Sequence, residues 1–322
     1  MCLVALALDQ SRRFPLVLAS NRDEYFKRPA ARLAWWTPHP GDPAVLGGRD
    51  IESGGTWLGL TAQGRLALVT NVRGRMAVDP SAPTRGRIVT DWLAARQTTD
   101  DFWMRTALSG YNGFNLIAVD FQRGECFWAS NIAAYPQRLE RGVYGLSNGA
   151  LDAPWPKVQT LKARMSAAMS AAASVDELAS QLFAALADRG TAPDDALPQT
   201  GIPLEWERQL SSAFIRTPDQ AYGTRCSTLI ISERVGRHLV THVLERSFNA
   251  GVAVALLRRS TLRNWPPRYT DEPVSGAFEQ ATVSEAELAA TPESAPAKKT
   301  RVRSLLKPAP GSRRRNSSFG KL

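Results

Sequence analysis

Cys2-Leu3-Val4-Ala5-Leu6-Ala7-Leu8, the polar turn Asp9-Gln10-Ser11-Arg12-Arg13, then Pro15-Leu16-Val17-Leu18-Ala19-Ser20 running straight into Asn21-Arg22-Asp23-Glu24: the fold is read from this stretch. Two short apolar runs around a polar turn make a hairpin. Neither run alternates, and strands apolar on both faces need a sheet covered on both sides. With the turn near Ser11, the end of the second strand lies beside the start of the first, which brings Asn21–Glu24 within a few residues of Cys2. Removal of Met1, usual ahead of a small side chain, would leave Cys2 as the N-terminus, with a thiol nucleophile and an α-amine on one residue. Such an amine titrates near pH ~7.7–8.0 and can serve as a general base at neutral pH. An adjacent Arg lowers the pKa of a thiol, and a carboxylate can orient the amine. The plainer alternative is a buried strand cysteine followed by a solvated turn.

Outward from the hairpin, further strands are expected at Thr56–Leu60, Leu66–Asn71, Asn115–Phe121, Glu125–Ala129, Val143–Ser147, Thr228–Ser232 and Leu239–Leu244. Short turns between them predict antiparallel pairing. Helices are expected at Arg87–Arg96, Trp155–Met169 and Ser174–Asp188, the last opening with the capping box Ser174-x-x-Glu177. Pro193–Arg216 reads as a long polar connection able to cover a site. The order of elements predicts an α+β domain, residues 1–267, with helices layered on antiparallel sheets.

The 322 residues carry a net charge of +10. Residues 268–322 hold ten Lys/Arg against six Asp/Glu, a net of +4, and are basic from Lys298 onward. This stretch is rich in Pro, Ala and Ser, buries too little to offset its ordering entropy, and is expected to be a disordered basic tail. It lacks the aromatic interleaving of a nucleic-acid-binding module, so no nucleic-acid partner is expected. No apolar run reaches the length of a membrane span, and Asp9 interrupts the N-terminal run before a secretory signal could form. Three cysteines without metal spacing suit a reducing compartment, and a cytoplasmic protein is expected. Three histidines leave little for a metal site, and nothing in the sequence sets the oligomeric state.

Two more strand ends carry amides suited to holding an oxyanion: Asn71, and Asn148 in Gly145-Leu146-Ser147-Asn148. A late segment, Gly223-Thr224-Arg225, supplies another cation. Taken in order with Met1-Cys2, Ser20–Glu24 and Gly54-Gly55-Thr56-Trp57-Leu58-Gly59, these motifs resemble the NRDE family, also called the transport-and-Golgi-organisation protein 2 family, over about residues 1–265. More distantly, the layout resembles N-terminal-nucleophile hydrolases of the penicillin V acylase and bile salt hydrolase type. That resemblance implies a four-layer αββα sandwich, two antiparallel sheets between helices.

The resemblance further implies Cys2 as nucleophile, Asn148 as an amide-stabilising asparagine and Arg225 as a late active-site arginine. The acylase pattern is Arg-x-x-Asp followed by an aromatic. Asn21-x-x-Glu24-Tyr25 keeps its spacing with Asn for Arg, whereas Arg22 and Asp23 keep its residue types. Thr61 stands where acylases place an oxyanion asparagine. The activity implied is hydrolysis of a non-peptide amide with no cofactor. The alternative is carriage of haem or another hydrophobic cargo, in keeping with the family's link to haem trafficking and secretory-pathway organisation. In that case arginines would pair the propionates and Cys, His238 or His242 would serve as a transient axial ligand.

Overall fold

Residue parity along the first hairpin organises the molecule. In the computed structural model, which describes residues 2–74, 78–249, 256–267 and 281–283, β1 (Cys2–Leu8) pairs antiparallel with β2 (Leu16–Tyr25). Leu3, Ala5, Ala7, Val17 and Ala19 pack against helices, whereas Val4, Leu6, Leu8, Leu16 and Leu18 pack against a second sheet. Both strands are therefore apolar on both faces, as the sequence predicts. Each fully buried Leu contributes about 1.5–3 kcal/mol.

The second sheet comprises β3 (Ala30–Trp36), β4 (Val45–Asp50), β5 (Leu58–Thr61), β6 (Arg65–Asn71), β7 (Phe114–Asp120), β8 (Glu125–Ser130) and β9 (Gln137–Arg138), paired in that order. The first sheet takes β10 (Gly142–Leu146), β11 (Tyr222–Val235), β12 (His238–Ser247), β13 (Leu256–Arg263) and β14 (Ala281–Val283), in the order β10-β1-β2-β11-β12-β13-β14. All pairings are antiparallel.

Helices cover the outer faces. On the first sheet lie α3 (Pro156–Ala171) and α4 (Val175–Leu186), joined to it through Leu161, Met165, Leu178 and Leu182. On the second lie α1 (Gly86–Leu93) and α2 (Thr99–Leu108), through Ile88, Trp92 and Phe102. The layering is αββα, an α+β sandwich. The capping box forms: Glu177 N donates to Ser174 Oγ at 3.1 Å, and Glu177 Oε2 accepts from Ala173 N at 2.8 Å.

Three differences from the sequence reading matter for the site. β2 runs on through Tyr25, so Asn21–Glu24 are strand residues rather than a turn; β1 and β11 flank the segment and supply its backbone partners. Residues 193–216 contain a short 3-10 turn, Asp194–Ala196, and α5 (Leu204–Gln209). Strands β3, β4, β9, β13 and β14 and helix α2 fall where no element is expected. The expected tail, 268–322, lies outside the described residues apart from 281–283, which pair with β13. Among the described residues, no helix is long and apolar enough to cross a membrane.

Candidate functional site

Cys2 opens β1 and sits opposite Arg22 on β2, which in turn sits opposite Cys226 on β11. By strand parity, Arg22 and Glu24 share the face of Cys2 toward the second sheet, while Asn21 and Asp23 face the helices. The two pairings left open by the sequence are thus both divided by the pleat. Asn21 is committed to structure: its Nδ2 donates to the carbonyls of Leu186 (2.8 Å) and Ala213 (2.9 Å), and its Oδ1 accepts from Ser227 Oγ (2.6 Å).

The buried Cys2 thiol lies 3.9 Å from the Val69 carbonyl of β6, where the two sheets meet. Around it opens a cavity of about 430 Å³, whose lining includes Cys2, Arg22, Glu24, Arg28, Asp50 and Trp57. Asn71, Asp79, Arg85, Gly86 and Asn112 also line it. Asp23 also reaches the lining. Arg22 lies over the Trp57 ring at 4.3 Å and forms ion pairs with Asp50 (3.5 Å) and Glu24 (3.6 Å). Arg28 holds Asp50 at 2.7 Å and Glu52 at 3.0 Å.

The motif Gly54-Gly55-Thr56-Trp57 acquires a physical reason here. A Cβ on Gly55 would meet the Gly86 carbonyl carbon at 2.5 Å, so glycine lets the start of α1 close on the β4–β5 connection beside the cavity.

Burial pushes the Cys2 thiol up, Asp23 and Glu24 add to the rise, and Arg22 opposes it. Burial likewise raises Asp23, against the pull of Lys157 and of the hydrogen bond from Thr224 Oγ1 (2.7 Å). Burial drives Lys157 down to about 8, with Asp23 opposing; its Nζ donates to the Leu210 carbonyl at 2.7 Å. At Asp50, burial acts upward but is outweighed by the hydrogen bonds from Arg28 and the Ser53 backbone, leaving it below the usual carboxylate range.

The remaining expected residues stand just outside the cavity lining. Asn148 is buried and its Nδ2 donates to the Asn71 carbonyl at 2.8 Å, while Ser147 Oγ donates to the Cys2 carbonyl at 2.9 Å. Asn148 thereby positions the end of β6. Arg225 sits at a β-bulge and its Nη1 donates to the carbonyls of Tyr25 (2.7 Å) and Arg28 (2.9 Å), fixing the turn after β2. Thr61 is buried at the β5–β6 turn, its Oγ1 accepting from Arg65 N at 3.3 Å, and does not line the cavity. Asn71 does, and its carboxamide has no hydrogen-bond partner among the described residues. Its place at a strand end was visible in sequence, but its convergence on Cys2 depends on how the sheets stack.

The residues 193–216, expected to cover a site, do not line this cavity. They fold against α3 and α4, and Glu207 of α5 pairs with Arg73 at 2.6 Å. Segment 78–86 closes the cavity instead. None of the three histidines lines it. His242 Nδ1 accepts from Arg259 at 2.9 Å and is pushed down to about 4 by burial and by that guanidinium. His238 Nδ1 lies 3.4 Å from Asn264 Oδ1.

Among solved structures, the chain is similar to the N-acylethanolamine-hydrolyzing acid amidase ortholog of Caenorhabditis elegans. The identity is 11% and the TM-score 0.42, over 71% of this chain and 92% of that one. It is also similar to a mutant conjugated bile acid hydrolase from Clostridium perfringens, at 10% identity and TM-score 0.36, over 74% and 90%. In sequence it is 34% identical to the Transport and Golgi organization protein 2 homolog of Bos taurus, over 73% of this chain and 90% of that protein. For the homolog of Homo sapiens the figures are 32%, 73% and 90%, and for the Drosophila melanogaster protein 28%, 72% and 87%. The family model described as Transport and Golgi organisation 2 matches residues 1–250. With Cys2, Arg22, Asp23, Glu24, Thr56 and Trp57 all lining one cavity within that span, the chain belongs to the Transport and Golgi organisation 2 family.

Proposed function

We propose that the chain is an amidohydrolase that acts on a non-peptide amide through Cys2, made the N-terminal residue by removal of Met1. The observation that carries this reading is Cys2 on the wall of a cavity of about 430 Å³, opposite Arg22 and sharing that lining with Asn71. In the proposed reaction the α-amine of Cys2 takes the thiol proton and the sulfur attacks the amide carbonyl carbon. An in-place base suits a thiol whose burial disfavours a resident thiolate. Arg22 stabilises the thiolate as it forms. The Asn71 N–H groups hold the oxyanion, and Asn148 keeps that strand end in position. The amine returns the proton to the leaving nitrogen as the C–N bond breaks. Water then attacks the thioester, gives a proton to the amine and releases the acid with the thiol restored. Asp23, next after the residue opposite Cys2, orients the amine.

The alternative, haem or another hydrophobic cargo in the same cavity, finds cations for propionates in Arg28 and Arg85. Among the described lining residues it finds only the Cys2 sulfur as a soft iron ligand, and charged and polar groups dominate the lining.

Intact-mass spectrometry after exposure to a panel of acyl amides tests the proposal. It expects loss of Met1, a thioester adduct on Cys2, and no adduct or turnover in Cys2→Ala at unchanged folded content. Retained Met1, or a haem-induced Soret shift with no turnover of any amide, would overturn it.

A further inference from the structure

Three guanidinium groups line the cavity, and they are not equivalent. Arg28 is held by Asp50 and Glu52 at 2.7 and 3.0 Å, and Arg22 shares Asp50 and Glu24. Arg85 differs. Among the described residues it has no ion-pair partner, and its only hydrogen bond runs from Nη1 to the Gly113 carbonyl at 3.0 Å. A guanidinium carries five donors, and a partly buried one is costly while its charge is unpaired. Burial presses Arg85 below the usual guanidinium range, with Glu24 and Cys2 opposing.

Arg85 is the N-cap of α1, a helix with no acidic residue in its first turn, and Gly86 at that positive helix end lines the cavity too. Arg22, also in the lining, is buried and its Nη1 has no hydrogen-bond partner. Of the lining carboxylates, Asp50, Glu52 and Glu24 pair with Arg28 and Arg22, Asp23 accepts from Thr224 Oγ1, and Asp79 Oδ1 accepts from Ser81 N and Oγ. Arg225, the other candidate cation from the sequence, is spent on backbone carbonyls outside.

We propose that Arg85, at the N-terminus of α1, is an anion-binding subsite beside Cys2 that takes a carboxylate of the bound molecule. The inference deepens the Cys2 reading above and rests on it for the substrate class, which becomes amides that also carry a carboxylate. The fork geometry of a guanidinium meets a carboxylate through two parallel hydrogen bonds and would orient the acyl carbon toward the thiol.

Alkylation of Cys2 by iodoacetate and by iodoacetamide, followed by peptide mass mapping on the full chain, tests this. The two reagents differ in charge at nearly equal size, and any change in thiol acidity cancels in their rate ratio. The unaltered chain should show saturable modification by iodoacetate. In Arg85→Gln the iodoacetate-to-iodoacetamide ratio should fall about tenfold and saturation should vanish, while Arg85→Lys should keep part of both. An unchanged ratio in Arg85→Gln overturns the proposal. If that variant does not fold, competition in the unaltered chain decides. Glutarate should slow iodoacetate more than iodoacetamide, and equal slowing overturns it. An amide panel without turnover, beside an intact ratio effect, would sink hydrolysis and leave the subsite standing. Turnover with an unchanged ratio in Arg85→Gln would do the reverse.

Discussion

Lys157 is buried under the first sheet, its ammonium drawn by Asp23 and by the Leu210 carbonyl. In the folded chain it loses its proton near pH 8, against 10.5 for an ordinary lysine. The sign follows from proton counting. Between those two values the unfolded chain binds more protons, so stability rises with pH across that window and is flat on this account below it. The drop corresponds to about 3 kcal/mol as an upper bound. Urea unfolding at about pH 7 and about pH 10 should show the unaltered chain gaining roughly 2–3 kcal/mol relative to Lys157→Met. Parallel behaviour of the two proteins would refute the buried, charge-penalised lysine. The ionisation that costs stability at neutral pH lies beneath Asp23, so helix packing and the charge of the site are linked through this one side chain.

β2 divides cavity lining and packing largely between alternate residues. Arg22 and Glu24 face the cavity, while Asn21 ties β2 to the end of α4, to Ala213 and to β11. Asn21→Ala removes three hydrogen bonds and strands two buried carbonyls, a loss of about 3 kcal/mol. Amide turnover per folded molecule should be retained, measured by active-site titration alongside chemical denaturation. A variant of full stability would show that Asn21 does not anchor the strand. Alternation is a sequence property, yet it was not legible here. Four consecutive polar residues after an apolar run read as a turn, and only the partners β1 and β11 extend the strand through them. The hairpin itself was legible because Leu3–Leu8 and Leu16–Ala19 leave no polar face. The capping box at Ser174 was legible for the same reason, since its partners are local. Arg85 and segment 78–86 were not, because their approach to Cys2 depends on two glycines meeting across 31 residues of chain. Val45–Asp50 also escaped, because its strand pairing rests on β3 and β5, which flank it.

Across the whole sandwich, the helix layer of the first sheet is fastened to the second sheet by Arg73, just beyond β6, and Glu207 of α5, a buried pair at 2.6 Å. Arg73 also lies over Trp155 at 4.9 Å, and Glu207 accepts from Thr200 N and Oγ1. Breaking such a pair leaves one uncompensated buried charge, and Arg73→Met should cost about 3–5 kcal/mol. Replacing both partners, Arg73→Met with Glu207→Met, should recover much of it, read from denaturant midpoints. No recovery would mean that the arginine acts through its other contacts. One more consequence follows from β1, an interior strand flanked by β10 and β2 whose first residue forms part of the cavity wall. Whatever polypeptide is fused ahead of Cys2 has to start from inside that chamber. On the proposed reaction, an affinity handle placed there would block the amine, giving a protein that folds and purifies but turns over no amide. Preparations meant for assay should carry their handle at the opposite terminus.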